Sequence, residues 1–269
     1  MTRPFTKIRL EFGLGGLVRQ GIYGYRFDKS SLESQCEDVC KNLPALIKHT
    51  NIPGRLRNFR LNVGRTAEVP KLPERCLEQA IWSATKKDPS AFQLGSICTN
   101  VHSYQVPLWR HKENLSTGEI EVINKWWKKS YIDLLGVDVD GFPVVLELKK
   151  TGKGSSNPLH MIVEAALYGV AVKTMWSRII PEWKLAFGDN VQQTPLKTCR
   201  LIGIAPYEYW EHWRRDESQR GLWKPLARLC SLLAKPEHGL PAFFAGFTHG
   251  ELDGTLPEIR DVRRIILPD

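Results

Sequence analysis

The chain has 269 residues, of which 42% are hydrophobic, so it is long enough to bury a sizeable core in one or two domains. Its 38 lysines and arginines outnumber its 29 acidic residues, and the resulting net charge of +9 suits a polyanionic partner. The sequence contains neither a run of 18 apolar residues nor a signal-like apolar stretch near its start. These features predict an intracellular, cytoplasmic protein with no membrane partner.

Residues 1–70 form a predicted N-terminal extension or small subdomain. Apolar stretches predict short strands at 7–12 and 21–27, and a capping box that opens at Ser30 predicts a helix over about 31–48. A basic connector follows, which either contacts phosphates or forms a solvated loop at a domain junction. Its arginines are Arg55, Arg57, Arg60 and Arg65.

Pro73 stands at the first position of a second predicted helix, which runs to about Lys86. Apolar residues recur in it with helical spacing, which predicts one buried face. These residues are Leu77, Ala80, Ile81 and Ala84. Two predicted strands follow, near 101–110 and 120–127.

Residues 131–150 read YIDLLGVDVDGFPVVLELKK and predict a β-hairpin. A three-residue loop that ends in a left-handed Gly141 would place Asp133 opposite Glu147 on one face of the strand pair. A two-residue loop would instead oppose Asp133 to Leu148 and separate the two carboxylates. We favour the three-residue loop because it brings the charged side chains together.

The charged face of this hairpin would hold Asp133, Glu147 and Lys149. Two neighbouring carboxylates repel each other, and a divalent cation with a preference for oxygen ligands, Mg²⁺ or Mn²⁺, would relieve the repulsion. An adjacent lysine could orient a water molecule or offset charge that develops on a phosphate. The alternative is a surface hairpin whose charges are merely solvated.

The helix predicted from Pro158 to about Trp176 carries one polar stripe on otherwise apolar faces. The stripe consists of His160, Glu164 and Tyr168, which recur every four residues. If this helix is buried, its stripe needs partners, and the charged face of the hairpin could supply them. The alternative is a stripe exposed to solvent.

A predicted strand near 199–205 ends the middle part of the chain. The residues that follow read as helical to about residue 234 and then as further strands, with FFAGF and VRRIIL among them. We therefore divide the chain into an N-terminal extension (1–70), a core (71–206) and a C-terminal extension packed on the core (207–269).

The phrase IDLLGVD…VVLELKK, followed by a helix with Glu164 and Tyr168, resembles the PD-(D/E)XK nuclease superfamily, especially its restriction and repair nucleases. The resemblance covers roughly residues 73–206. It implies an α/β (α+β) fold with a restriction-endonuclease-like αβββαβ core, in which helices flank a central mixed sheet. The chain departs from the family in two places: no proline precedes Asp133, and Glu164 stands where many members have glutamine.

By this resemblance, Asp133 and Glu147 would hold the metal ion, the Leu148 carbonyl would be a further ligand, and Lys149 would position or activate the water. Glu78 in the second helix would either lie beside the metal or face solvent, and Glu164 could contact the metal or a bound water. The remaining predicted site residues are Tyr168 and His160 as supporting groups, and Lys150 and Lys153, with the arginines of the connector, as nucleic-acid contacts.

These features predict a Mg²⁺- or Mn²⁺-dependent nuclease, preferably an endonuclease, that hydrolyses DNA in restriction, repair or mobile-element defence. Nucleic acid is the expected partner, a homodimer is compatible with the sequence, and a DNA substrate would place the protein at the nucleoid. Two alternatives stay open: a catalytically silent nucleic-acid-binding or assembly module, and a structural subunit whose acidic pair has no chemical role. The sequence decides neither between DNA and RNA nor between endonuclease and exonuclease.

Overall fold

The structure, a computed structural model, describes residues 31–49, 72–88, 94, 100–107, 131–151, 157–188, 191–215 and 221–267. The α-helices within these ranges are α1 (Leu32–His49), α2 (Pro73–Lys87), α3 (Pro158–Phe187), α4 (Tyr207–Arg215) and α5 (Trp223–Leu233). The strands are β1 (Asn100–Pro107), β2 (Tyr131–Val137), β3 (Pro143–Leu148), β4 (Arg200–Pro206), β5 (Ala242–His249) and β6 (Ile259–Ile265).

All of these strands belong to one mixed sheet, and their order in space follows their order in the chain. Strands β1, β2 and β3 are antiparallel, β4 and β5 continue the sheet in parallel with β3, and β6 closes it antiparallel to β5. The predicted mixed α/β fold with helices flanking a central sheet is confirmed. The sheet also takes in β5 and β6, which come from the C-terminal part of the chain.

The sheet has a separate hydrophobic core on each face. Helices α1, α3 and α5 contribute to the larger core, and α2 packs on the opposite face. Side chains on β3 alternate between the two: Val145 joins the larger core, while Leu146 and Leu148 face the α2 side. Alternation therefore directs Glu147 to the same face as Val145, the face covered by α3.

The hairpin of β2 and β3 has the predicted register. Leu134 pairs with Leu146, and the ladder continues to Val137 beside Pro143, so one step further along it Asp133 lies opposite Glu147. The turn closes through Gly141, whose φ of 77° lies in the left-handed region that glycine adopts without strain. The three-residue loop is confirmed because the turn geometry fixes which residues face each other.

The first two predicted helices are confirmed to within one residue at each end. The cap of α1 is Ser31, whose hydroxyl oxygen accepts a hydrogen bond from the Ser34 N–H at 3.2 Å; the expected cap, Ser30, lies outside the described residues. The predicted strands at 7–12, 21–27 and 120–127 also lie outside them.

The predicted end of α3 near Trp176 is wrong, because the helix continues to Phe187. The apolar face does not stop at Trp176: Ile179 and Trp183 are fully buried and extend it past Pro181. Burial of these large side chains outweighs the backbone hydrogen bond that a proline removes from a helix interior.

The predictions for the last third of the chain are confirmed in outline. The strand expected near 199–205 is β4, the helical stretch divides into α4 and α5, and the two apolar tail segments form β5 and β6. In the described part of the chain, no helix combines the length and the apolarity needed to cross a membrane.

Candidate active site

A pocket of about 360 Å³ lies where β2 begins, β3 ends and α2 has its first turn. Carboxylates dominate its polar lining, and they come from four separate elements. These acids are Glu74 and Glu78 of α2, Asp133 of β2, Glu147 of β3 and Glu164 of α3. The other polar residues in the lining are Lys149, Lys150, Tyr168, Arg75, Gln105 and Tyr131. The last three are not among the sequence-predicted site residues. The fold therefore brings to one place seven of the nine sequence-predicted site residues that the structure describes.

The hairpin supplies two acids at the centre of the pocket. The Asp133 Oδ2 atom accepts a hydrogen bond from the Leu148 N–H at 2.9 Å, which ties this side chain to the end of β3. Glu147 is only 2% exposed, and its Oε1 atom accepts a hydrogen bond from Lys149 Nζ at 2.5 Å. Its Oε2 atom is buried and accepts no hydrogen bond from any described residue. A buried carboxylate oxygen without a donor is costly, so this atom needs either a proton or a partner that is not among the described residues.

Burial and the repulsion between these acids favour the protonated or cation-bound carboxyl group over the free carboxylate. Burial, opposed by Lys149, raises the pKa of Asp133 to about 7. Burial and the charges of Asp133 and Glu164 raise the pKa of Glu147 well above its ordinary value. Crowded carboxylates that resist ionisation are stabilised when a divalent cation replaces the protons.

Lys149 lies between two carboxylates. Its Nζ atom is 2.5 Å from Glu147 Oε1 and 3.3 Å from Glu164 Oε2. The far side of Glu164 is held by Tyr168, whose hydroxyl donates to Oε1 at 3.1 Å, and His160 Nε2 lies 3.7 Å from Oε2. Burial opposes ionisation of Glu164, but the positive charges of Lys149 and His160 lower its pKa to about 2. The polar stripe of α3 is therefore turned towards the hairpin, as its first interpretation predicted.

Glu78 is also buried at 2% exposure, which excludes the solvent-facing alternative. Its Oε2 atom accepts a hydrogen bond from Gln105 Nε2 at 2.5 Å. Burial, with the nearby charge of Asp133, raises the pKa of Glu78 to about 9. Gln105 has a φ of 48°, a left-handed conformation that is uncommon for a residue with a side chain and is enriched at functional sites.

Some predicted site residues stand apart from this cluster. The Leu148 side chain packs in the core on the α2 side, and the role of its carbonyl as a metal ligand stays a prediction. Lys150 lines the pocket, whereas five predicted nucleic-acid contacts lie outside the described residues. These are Arg55, Arg57, Arg60, Arg65 and Lys153.

Sequence reasoning missed several residues of the pocket. Glu74 had a signal, because it precedes Glu78 by one helical turn. Arg75 lies within the second predicted helix and Tyr131 within the predicted hairpin, so both could have been placed near the pocket from their neighbours. Gln105 had none, because its place beside Glu78 depends on how β1 packs against α2, which no local pattern indicates.

The donor set fits a divalent cation of the Mg²⁺ or Mn²⁺ type. The candidate side-chain ligands are all carboxylate oxygens, which such ions prefer, and Glu147 Oε2 accepts no hydrogen bond from a described residue. Among the described residues, no three or more His, Cys, Asp or Glu side chains are already arranged around one point as an ion requires. Lys149 instead lies between Glu147 and Glu164.

Comparison of the chain with protein-family models, curated proteins and solved structures returned no match. The resemblance to PD-(D/E)XK nucleases therefore stays a prediction from the motifs of the hairpin and of α3. Function is inferred from the chemistry of the pocket.

Proposed function

We propose that this protein is a metal-dependent nuclease that hydrolyses the phosphodiester bonds of DNA. The observation that carries the proposal is the buried carboxylate of Glu147, which has an acceptor oxygen without a donor, other acids around it and Lys149 in contact. The order α2, β1, β2, β3, α3, β4 supports the further proposal of a restriction-endonuclease-like αβββαβ core. The net charge of +9 supports a nucleic acid as the substrate.

Each residue of the pocket has a distinct role in this proposal. Asp133 and Glu147 hold the divalent cation, which when bound supplies electrostatic stabilisation for charge that develops on the phosphate. Lys149 is a buried donor in contact with Glu147, so it is placed to orient the attacking water or to neutralise a phosphate oxygen. Glu78 and Gln105 close the α2 side of the pocket through their hydrogen bond.

The mouth of the pocket has groups suited to a nucleic acid. Arg75 and Tyr131 are exposed, and Lys150 is half-buried beside them in the lining. Arginine and lysine contact phosphates, and an exposed tyrosine ring offers a surface on which a base can stack. These side chains would hold the strand while its phosphate enters the acidic interior.

The proposal is tested by incubating the purified protein with linear, circular and single-stranded DNA and with RNA, in Mg²⁺, in Mn²⁺ and in a chelator. We expect metal-dependent cleavage of DNA by the unmodified protein and no cleavage by Glu147→Ala, because one remaining hairpin carboxylate is a poor Mg²⁺ site. Lys149→Ala should cleave about 10²–10³-fold more slowly, the usual effect of removing one transition-state contact.

Glu237→Ala is the matched control for loss of an acid, because Glu237 is exposed and does not line the pocket. It should cleave as the unmodified protein does. DNA binding without cleavage in any divalent metal would contradict the nuclease and identify a catalytically silent binding module. Undiminished cleavage by Glu147→Ala would show that the activity comes from another site or from a contaminant.

A further inference from the structure

We propose that Lys149 is an internal counter-ion of the metal-free site, and that Glu164 is the carboxylate to which it moves when a divalent cation takes Glu147. In this proposal Glu164 is a positioning residue for Lys149 and not a metal ligand. The inference rests on the divalent site proposed above and assigns Glu164 a function that a neutral glutamine could not perform equally well.

The ammonium group of Lys149 lies inside the protein. The side chain of Lys149 is only 8% exposed, so its ammonium group depends on acceptors within the protein. Two carboxylates provide them, at 2.5 Å from Glu147 and 3.3 Å from Glu164. The ammonium group therefore has two carboxyl partners in reach of one position.

A divalent cation would compete with Lys149 for Glu147. The Lys149 ammonium group contacts Glu147 Oε1, so a divalent cation held at the Oε2 atom of the same carboxylate would lie close to it. Two positive charges at contact distance repel strongly in a buried site. Binding of the cation thus requires Lys149 to shift away from Glu147, and the shift is small only if a second anion lies beside it.

The carboxylate of Glu164 is oriented by neighbouring side chains of this chain. Tyr168 donates to its Oε1 atom at 3.1 Å, while Lys149 and His160 lie 3.3 and 3.7 Å from its Oε2 atom. Both oxygens are thus already engaged with groups of this chain. Glu147 differs, because its Oε2 atom has no donor among the described residues. The two acids are therefore suited to different cations: Glu147 to the divalent ion and Glu164 to the ammonium group.

Because the two acids bind different cations, Glu164 should affect metal binding at Glu147 only through Lys149. In Glu164→Gln the second partner of Lys149 loses its charge, and a hydrogen bond to a neutral oxygen is about half as strong as one to a carboxylate. Lys149 then pairs more tightly with Glu147 and competes better against the divalent ion. The substitution should weaken metal binding only when Lys149 is present.

The test is a double-mutant cycle on Mn²⁺ binding, measured by the electron paramagnetic resonance signal of free Mn²⁺. The proteins are the unmodified chain, Glu164→Gln, Lys149→Met and the double variant. We expect Glu164→Gln to raise the dissociation constant about tenfold or more when Lys149 is present, the size of a lost charge-assisted hydrogen bond. In the Lys149→Met background, Glu164→Gln should alter the Mn²⁺ dissociation constant by less than about threefold. Lys149→Met alone should tighten Mn²⁺ binding.

Tyr168→Phe is a milder second variant, because it removes the hydroxyl that orients Glu164 and leaves every charge in place. It should weaken Mn²⁺ binding in the same direction, and only when Lys149 is present. Equal weakening by Glu164→Gln in both backgrounds would make Glu164 a metal ligand and overturn the proposal. No Mn²⁺ binding by the unmodified protein would overturn the divalent site itself, a result distinct from equal weakening.

Discussion

The surroundings of Glu78 strongly oppose the ionisation of its carboxyl group. It is 2% exposed, it is hydrogen-bonded to Gln105, and burial together with the charge of Asp133 raises its pKa to about 9. In the metal-free protein at neutral pH this side chain therefore carries a proton. A cation in the pocket would favour release of that proton, so metal binding and proton release are expected to be linked.

The raised pKa predicts a stability that depends on pH. The unfolded chain loses the Glu78 proton near pH 4.5, whereas the folded chain keeps it to about pH 9, so the folded state binds more protons between these values. The free energy of unfolding contributed by Glu78 therefore falls as the pH rises through this window, by at most about 1.4 kcal/mol per pH unit. Glu78→Gln cannot ionise and should show a shallower fall.

The measurement is urea unfolding of the metal-free protein at several pH values from 5 to 9. Glu237→Gln, an exposed acid outside the pocket, is the control and should keep the slope of the unmodified protein. A slope for Glu78→Gln equal to that of the unmodified protein would contradict the assignment of a buried, protonated Glu78.

At the scale of elements, the close approach of α3 to the sheet brings Glu164 to the hairpin. Gly203 of β4 pairs with Glu147 of β3, and a Cβ atom added at Gly203 would lie 2.4 Å from Met161 Sδ and 2.9 Å from Phe244 Cδ1. Met161 belongs to the first turns of α3, just before Glu164. The missing side chain of Gly203 thus leaves the space in which this end of α3 packs.

We therefore predict that Gly203→Ala destabilises the protein by about 1–3 kcal/mol, the usual cost of overpacking a well-filled core. Gly250→Ala is the matched control, because Gly250 is exposed and the nearest atom to its added Cβ is at an ordinary 3.6 Å. It should change the free energy of urea unfolding by less than about 0.5 kcal/mol. Equal stability of the two variants would show that α3 can shift away from the sheet without cost.

Elements with local signals were predictable from the sequence, and those set by distant contacts were not. The hairpin register followed from a three-residue loop and Gly141, so Asp133 and Glu147 were correctly paired. The end of α3 was misplaced at Trp176, because burial of Ile179 and Trp183 carries the helix past Pro181 to Phe187. Gln105 was missed because its contact with Glu78 depends on how strand β1 packs against helix α2.

Positive charge predominates over the whole chain while acids cluster in the pocket, and this distribution suits the proposed chemistry. The chain as a whole is basic at +9, yet the interior of the pocket is lined by five acids. A polyanion is attracted to the protein but repelled by the pocket until a cation neutralises the acids. Under the proposed function, nucleic-acid binding and metal binding should therefore be separable: loss of Glu147 should remove the metal while the net positive charge of the chain remains.

Anomalous diffraction from crystals soaked in Mn²⁺ tests the central claim, a divalent cation held by the hairpin acids, most directly. We predict a strong peak within about 2.5 Å of Glu147 Oε2 and of an Asp133 carboxylate oxygen, the range of oxygen ligands to such ions. Matched crystals of Glu147→Ala should lack the peak. A peak that lies elsewhere, or no peak in the unmodified protein at saturating Mn²⁺, would contradict the account.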